Sequence, residues 1–333
     1  MKGYVENKNM KQMVLTENKY AEMMQTIVEP YLEERKQKLW LEREEGKKIH
    51  CMKYTADDAK GVVMISHGFT ESIEKYVEVI YYFLKHKYHV YMPEHCGHGF
   101  SYRLVENMSL VHVDSYERYV DDFLFVCEYA KREFEQLPFY LFGHSMGGGI
   151  AAVVAAQSVD FFKKVVLTSP MIRPTTGKIP WLAAKLGCEK SCKEGNGANF
   201  IGEPQSYQGR EKFEDSCSLS RARFDYYQDK KFNEVHYQTC AASYGWVNEA
   251  VRMNEYLQKE AWKKITVPML VFQAENENLV SKEEQDLFVK KVVWHGVSDS
   301  KLVKVPACKH EIFNADDETV KKYWKKIFTF FEK

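Results

Sequence analysis

The sequence predicts an α/β protein: a mostly parallel sheet with helices on both faces, interrupted by an inserted block of helices. Three observations predict it. Apolar strand-like runs alternate with amphipathic helical stretches from Gly61 to Thr168. The alternation stops over residues 171–263, which hold no apolar strand run. It resumes at Pro268 and continues to Phe331.

Element by element, residues 17–38 read as a helix with Tyr20, Met23, Met24, Ile27, Val28 and Tyr31 on one face, bent or restarted at Pro30. Two short strands follow, near Lys38–Arg43 and Lys48–Tyr54, joined by a Glu45-Gly46-Lys47 turn. Gly61–Ser66 is the first strongly apolar strand. Then come a helix over Glu74–Lys87, a strand over Tyr88–Met92 stopped by Pro93, and a helix over Tyr116–Phe134 with apolar residues at helical spacing. A strand at Phe139–Phe142, a helix at Met146–Gln157 and a strand at Lys164–Thr168 complete the first half. The interruption holds a Gly-rich, Cys-containing stretch and two helices, around Leu219–Gln228 and Val247–Gln258. After it come a strand at Pro268–Gln273, a helix opened by a Ser281/Glu284 capping box, a strand at Lys301–Val305 and a helix at Asp317–Phe331. The chain therefore divides into a helical extension (1–36), a first core part (37–170), an insertion (171–263) and a second core part (264–333).

With 333 residues the chain can bury a large core and needs no disulfide or metal staple. Lys and Arg number 47, Asp and Glu number 47, so the balance excludes bulk electrostatic capture of nucleic acid or of an anionic membrane. The eight cysteines are scattered and lack CxxC spacing; Cys188 and Cys192 are the closest pair. The polar start Met1-Lys2-Gly3-Tyr4 carries no apolar signal segment, and no run reaches the length of a membrane span. A cytoplasmic protein with free thiols is the expectation.

The sharpest local signal is Gly143-His144-Ser145-Met146-Gly147, between an apolar strand and an apolar helix. That context suits a nucleophile elbow, a strained turn that exposes the Ser145 hydroxyl at a helix N-terminus. A serine needs a base, and the base an orienting acid. In strand-end loops after Ser145, the acid candidates are Glu277 and Glu275, and the histidine candidates His310 and His295. His310 follows the strand Lys301–Val305, whereas His295 precedes it. The backbone N–H groups of Phe69, in Ser66-His67-Gly68-Phe69-Thr70, and of Met146 are the natural donors to an oxyanion. The loop Glu94–Ser101 offers His95, Cys96 and His98, but no further ligands at metal-site spacing, so it reads as a packed turn and no metal is expected.

These motifs, His67-Gly68-Phe69-Thr70-Glu71-Ser72, His98-Gly99-Phe100-Ser101, Gly143–Gly148 and the Glu277 and His310 loops, resemble the lysophospholipase and monoacylglycerol lipase group of α/β-hydrolases. The resemblance runs from about residue 55 to the C-terminus. It is less specific in the insertion, at Ser218–Phe224 and Tyr244–Glu249, and residues 1–35 have no counterpart in it. It implies the α/β-hydrolase fold with the insertion as a helical lid over an acyl-binding pocket. It further implies Ser145 as nucleophile, His310 as base, and Phe69 and Met146 as the oxyanion hole. The acid in this group is usually Asp; here Glu277-Asn278-Leu279-Val280 takes its place.

The expected activity is hydrolysis of a single-acyl lipid ester through an acyl-enzyme, without cofactor. The expected partner is a small lipid-ester substrate, not nucleic acid. Trp181, Leu182 and Leu186 are candidates for weak peripheral contact with a lipid surface, against packing within the lid. Three rivals stand beside this. One is a proline-iminopeptidase-like peptidase, with Glu194, Glu203 or Asp215 anchoring a substrate amine. Another is acyl transfer to an alcohol other than water. The third is a non-catalytic binding protein on the same scaffold.

Overall fold

Near-continuous apolar runs become the centre of one sheet. The computed structural model describes residues 14–333. Its strands are β1 (Lys36–Glu44), β2 (Lys47–Tyr54), β3 (Gly61–Ser66), β4 (Tyr88–Pro93), β5 (Leu110–Val111), β6 (Phe139–His144), β7 (Phe162–Thr168), β8 (Ala241–Ala242), β9 (Met269–Ala274) and β10 (Lys301–Val305). Eight of them form one sheet in the order β1-β2-β4-β3-β6-β7-β9-β10. Only β2 runs against its neighbours; every other adjacent pair is parallel. Strands β3, β4, β6 and β9 are buried along their whole length, as strands covered on both faces must be.

The helices are α1 (Tyr20–Met23), α2 (Glu29–Glu33), α3 (Val77–Lys85), α4 (Tyr116–Glu133), α5 (Ser145–Gln157), α6 (Trp181–Lys193), α7 (Arg221–Asn233), α8 (Tyr244–Lys259), α9 (Lys282–Trp294) and α10 (Asp317–Glu332). One core packs Phe123 of α4, Ile150 of α5, Met253 of α8 and Phe288 of α9 on one face of the sheet. The other packs Phe83 of α3 with Trp324 and Phe328 of α10, joined by Leu15, Met24 and Val28 from the N-terminal segment. Helix α5 is buried all round except at Gln157, which explains its lack of a polar stripe.

Several boundaries differ from the sequence reading, each for a physical reason. The expected helix over 17–38 ends at Glu33 and β1 begins at Lys36. Its middle, Met24–Val28, is a wider π-helical turn just before Pro30, whose missing N–H cannot join the α-helical ladder. Helix α3 starts at Val77 after a 3₁₀ turn at Ile73–Tyr76, not at Glu74. The Ser281 hydroxyl does accept the Glu284 N–H at 3.2 Å, but the capping box stays half made. The Glu284 carboxylate turns away to Arg173 at 2.9 Å, and the Ser281 N–H goes to the Arg173 carbonyl.

Between β7 and β9 lie three helices, not two. Helix α6 has a single buried residue, Cys188, so no apolar stripe announced it. The same stretch supplies β8, which pairs with β5. All eight cysteines are free thiols, Cys188 and Cys192 included. Residues 1–13 of the N-terminal extension, and with them the polar start weighed against a signal segment, lie outside the described residues. No helix among the described residues is long and apolar enough to cross a membrane.

Candidate active site

The chain turns from β6 into α5 at Ser145, whose φ is +51°. A serine in the left-handed region is strained, and such strain collects where a side chain must be held in one place. Gly147 makes the turn possible by contact rather than by φ. A Cβ there would lie 2.2 Å from the Ser66 carbonyl oxygen and 2.3 Å from that of His67. The start of α5 therefore presses against the end of β3, and the Phe69 loop is brought beside Ser145. Met146 is the second residue of α5, so its N–H has no acceptor within the helix.

Ser145, Phe69 and His310 line one cavity of about 180 Å³. His310 follows β10 and is buried. The Ser169 hydroxyl, at the end of β7, donates to its carbonyl at 2.8 Å. Its Nδ1 lies 2.7 Å from Glu277 Oε2. Its Nε2 is buried without a hydrogen-bond partner among the described residues. The other oxygen of Glu277 accepts the N–H groups of Asn278 (3.0 Å), Leu279 (2.9 Å) and Val280 (3.4 Å). Burial pulls the Glu277 carboxyl upward in pKa; the His310 ring and the Leu279 and Val280 N–H groups outweigh it, and the net direction is down.

The competing candidates stand elsewhere. The Glu275 carboxylate is exposed and accepts the Ala307 N–H at 2.7 Å. His295 is exposed at the C-terminal end of α9, edge-on to Trp262 at 5.6 Å. Among the acidic residues weighed as amine anchors, Asp215 lines the cavity.

The histidine-rich loop after β4 supports the Phe69 loop from below. His98 Nε2 accepts the Thr70 N–H at 3.1 Å, and His98 Nδ1 lies 3.1 Å from the Cys96 carbonyl oxygen. His67 Nε2 accepts the His95 N–H at 2.9 Å, while His67 Nδ1 lies 2.8 Å from the Gly68 carbonyl oxygen. Each ring thus carries its proton on Nδ1 and accepts on Nε2. Burial pushes the pKa values of His67, His95 and His98 down, which keeps the rings neutral and fit to accept.

A buried polar cluster also stands on the cavity wall. The Lys75 ammonium lies 2.9 Å from Glu71 and also pairs with Glu311. Glu71 in turn accepts the Gly68 N–H and the Tyr76 hydroxyl, each at 2.6 Å. Burial raises the Glu71 pKa, but Lys75 and the other donors overcome it and hold the carboxylate charged. From the segment between β7 and β9, α7 contributes Phe224, Tyr227, Gln228 and Lys231. Lys231 pairs with Glu211 at 3.0 Å.

The mostly parallel sheet with helices on both faces is the fold of an α/β-hydrolase. Residues 57–317 match the family described as serine aminopeptidase, S33, and the chain belongs to that family. Within it the chain falls in the lysophospholipase and monoacylglycerol lipase group, and its class is that of a carboxylic ester hydrolase. It is similar to the monoacylglycerol lipase of Mycolicibacterium smegmatis, 26% identical over 261 residues, covering 78% of this chain and 85% of that protein. It is similar to lysophospholipase L2 of Escherichia coli K12, 25% identical over 295 residues and covering 84% of each chain. In fold it matches a thermostable carboxyl esterase from Bacillus coagulans, with a TM-score of 0.73 and 20% identity, over 90% of this chain and 98% of that one.

Proposed function

We propose that the protein hydrolyses carboxylic esters of single-acyl lipids, lysophospholipid or monoacylglycerol, through Ser145, His310 and Glu277 and a covalent acyl-enzyme. The observation that carries this reading is the His310 ring, set 2.7 Å from Glu277 on one side and lining Ser145's cavity on the other. The names of the relatives support the lipid ester as substrate.

In the proposed reaction, His310 keeps a proton on Nδ1 for Glu277 and accepts the Ser145 proton on Nε2 as the hydroxyl oxygen attacks the ester carbonyl. The oxyanion that forms is held by the N–H groups of Phe69 and Met146, each donor contributing about 3–4 kcal/mol to the transition state. The tetrahedral species collapses, the alcohol leaves with the proton from His310, and the acyl group stays on Ser145. Water, deprotonated by His310, then attacks the acyl-enzyme and releases the acid. No step needs a metal or cofactor.

Residues 171–263 act as the lid in this reading. Exposed Ile179, Leu182 and Leu186 support its contact with a lipid surface, while Trp181 packs under the Arg173 guanidinium. Eight free thiols suit a reducing compartment, in line with a cytoplasmic setting. Asp215 on the cavity wall favours a second reading, a peptidase that anchors a substrate amine. Parallel assays with monoacylglycerol, lysophospholipid and aminoacyl substrates separate the two.

Ser145→Ala should lower kcat by about 10⁴–10⁶ and abolish labelling by a fluorophosphonate. Near wild-type turnover in that variant rules the mechanism out.

A further inference from the structure

Helix α7 has two working faces. Phe224, Tyr227, Gln228 and Lys231, at the spacing of one helical stripe, line the cavity that holds Ser145 and His310. Arg223, Tyr226 and Lys230 form the neighbouring stripe and meet the N-terminal segment. The Tyr226 hydroxyl donates to Glu29 Oε1 at 2.7 Å, and the Lys230 ammonium reaches the same oxygen at 2.6 Å. The Tyr226 ring stands edge-on to Tyr20 at 5.8 Å. Fully buried Arg223 donates to the Leu15 carbonyl at 2.9 Å and to both oxygens of Glu78 on α3 at 2.9 and 3.0 Å. Asp317 of α10 accepts from Arg223 at 3.3 Å and from the Glu17 N–H at 3.1 Å.

The two ends of this helix-to-segment contact differ in kind. Arg223 is a buried hub shared by three core elements, so its loss would damage folding. Glu29 and Lys230 are about one-third exposed, and their pairing can be changed without opening the core. Residues 14–33 lie outside the part of the chain that matches the family.

We propose that the N-terminal segment is part of the substrate-selecting apparatus: through Glu29 it fixes the angle of α7, and so the placement of Tyr227, Gln228 and Lys231 against the alcohol half of the substrate. Glu29 is then a positioning residue, and the proposal rests on the ester-hydrolase reading above for its substrate. A loosened α7 weakens contacts made equally in the ground and transition states. KM should rise while kcat holds. A small ester whose alcohol half makes no contact with α7 should be indifferent.

The test uses the full chain, with Glu29→Lys and the charge-exchanged double variant Glu29→Lys, Lys230→Glu. In Glu29→Lys, KM for a monoacylglycerol should rise about five- to tenfold with kcat within about twofold, p-nitrophenyl acetate turnover should be unchanged, and the double variant should recover part of the loss, since position 230 also lies 3.9 Å from Glu74. Amide hydrogen exchange should quicken across 221–233 and not in the central strands. Unchanged exchange in α7, or equal losses on both esters, overturns the proposal. Quickened α7 exchange in Glu29→Lys that the double variant reverses upholds the brace even if the wild-type protein hydrolyses neither ester, in which case the ester-hydrolase reading alone has failed.

Discussion

At the scale of single residues, the acid partner is the point where sequence and structure carry different information. Two glutamates stand two positions apart after β9, and spacing treats them alike. The structure separates them by contact: Glu277 lies against His310, and Glu275 against the Ala307 N–H. Glu277→Gln should therefore reduce kcat by about 10³–10⁴, because an amide in that place favours the wrong histidine tautomer. Glu275→Gln should stay near wild type in steady-state ester hydrolysis. The opposite ranking would move the acid role to Glu275. Ser145 was legible because its motif is local, a strand, a strained turn and a helix within twenty residues. The cluster of Glu71, Lys75 and Glu311 was not, because Lys75 meets Glu311 across 236 positions and a lone charge reads as solvated.

At the scale of elements, legibility followed burial. Strands β3, β6 and β9 are covered on both faces and announced themselves as apolar runs. Helix α6 fully buries only Cys188 and shows Leu182 and Leu186 to solvent at 64% and 55% exposure, so its pattern is inside out. Two exposed leucines one helical turn apart have a use if α6 meets lipid. Leu182→Asp with Leu186→Asp should lower turnover of emulsified monoacylglycerol by about tenfold or more, since each leucine's apolar contact is worth about 1.5–3 kcal/mol. Turnover of a monomeric, water-soluble ester should not change. Equal activity on the emulsion removes α6 from any role at a lipid surface.

At the scale of the whole molecule, buried His144 and half-buried His86 should make the fold lose stability in acid. Burial pushes His144 down to about 4, and burial with the nearby Lys60 charge pushes His86 down to about 4. In the unfolded chain a histidine takes its proton near pH 6.5. Between those values the unfolded state binds more protons than the folded one, so stability rises with pH and is lost as pH falls from 6.5 toward 4. Each histidine contributes a slope of about 1.4 kcal/mol per pH unit in that window. Urea denaturation at pH 7.5, 6.0 and 5.0 should show the loss, and His86→Phe, which can keep the stacking on Phe328, should flatten it. A slope identical in the variant would assign the acid sensitivity elsewhere.

Strand β1 lies at one margin of the eight-stranded sheet, so one of its sides offers unpaired backbone groups. Its outward positions change sign along the strand, from Lys36 and Lys38 through half-exposed Trp40 to Glu42, after which a bulge at Arg43 turns Glu44 to the other face. Copies stacked side by side in parallel register, as in a fibril, would set lysine on lysine and glutamate on glutamate at each layer. The charge order of this one strand therefore disfavours parallel, in-register growth on the open margin of the sheet, a protection that evening out those charges would remove.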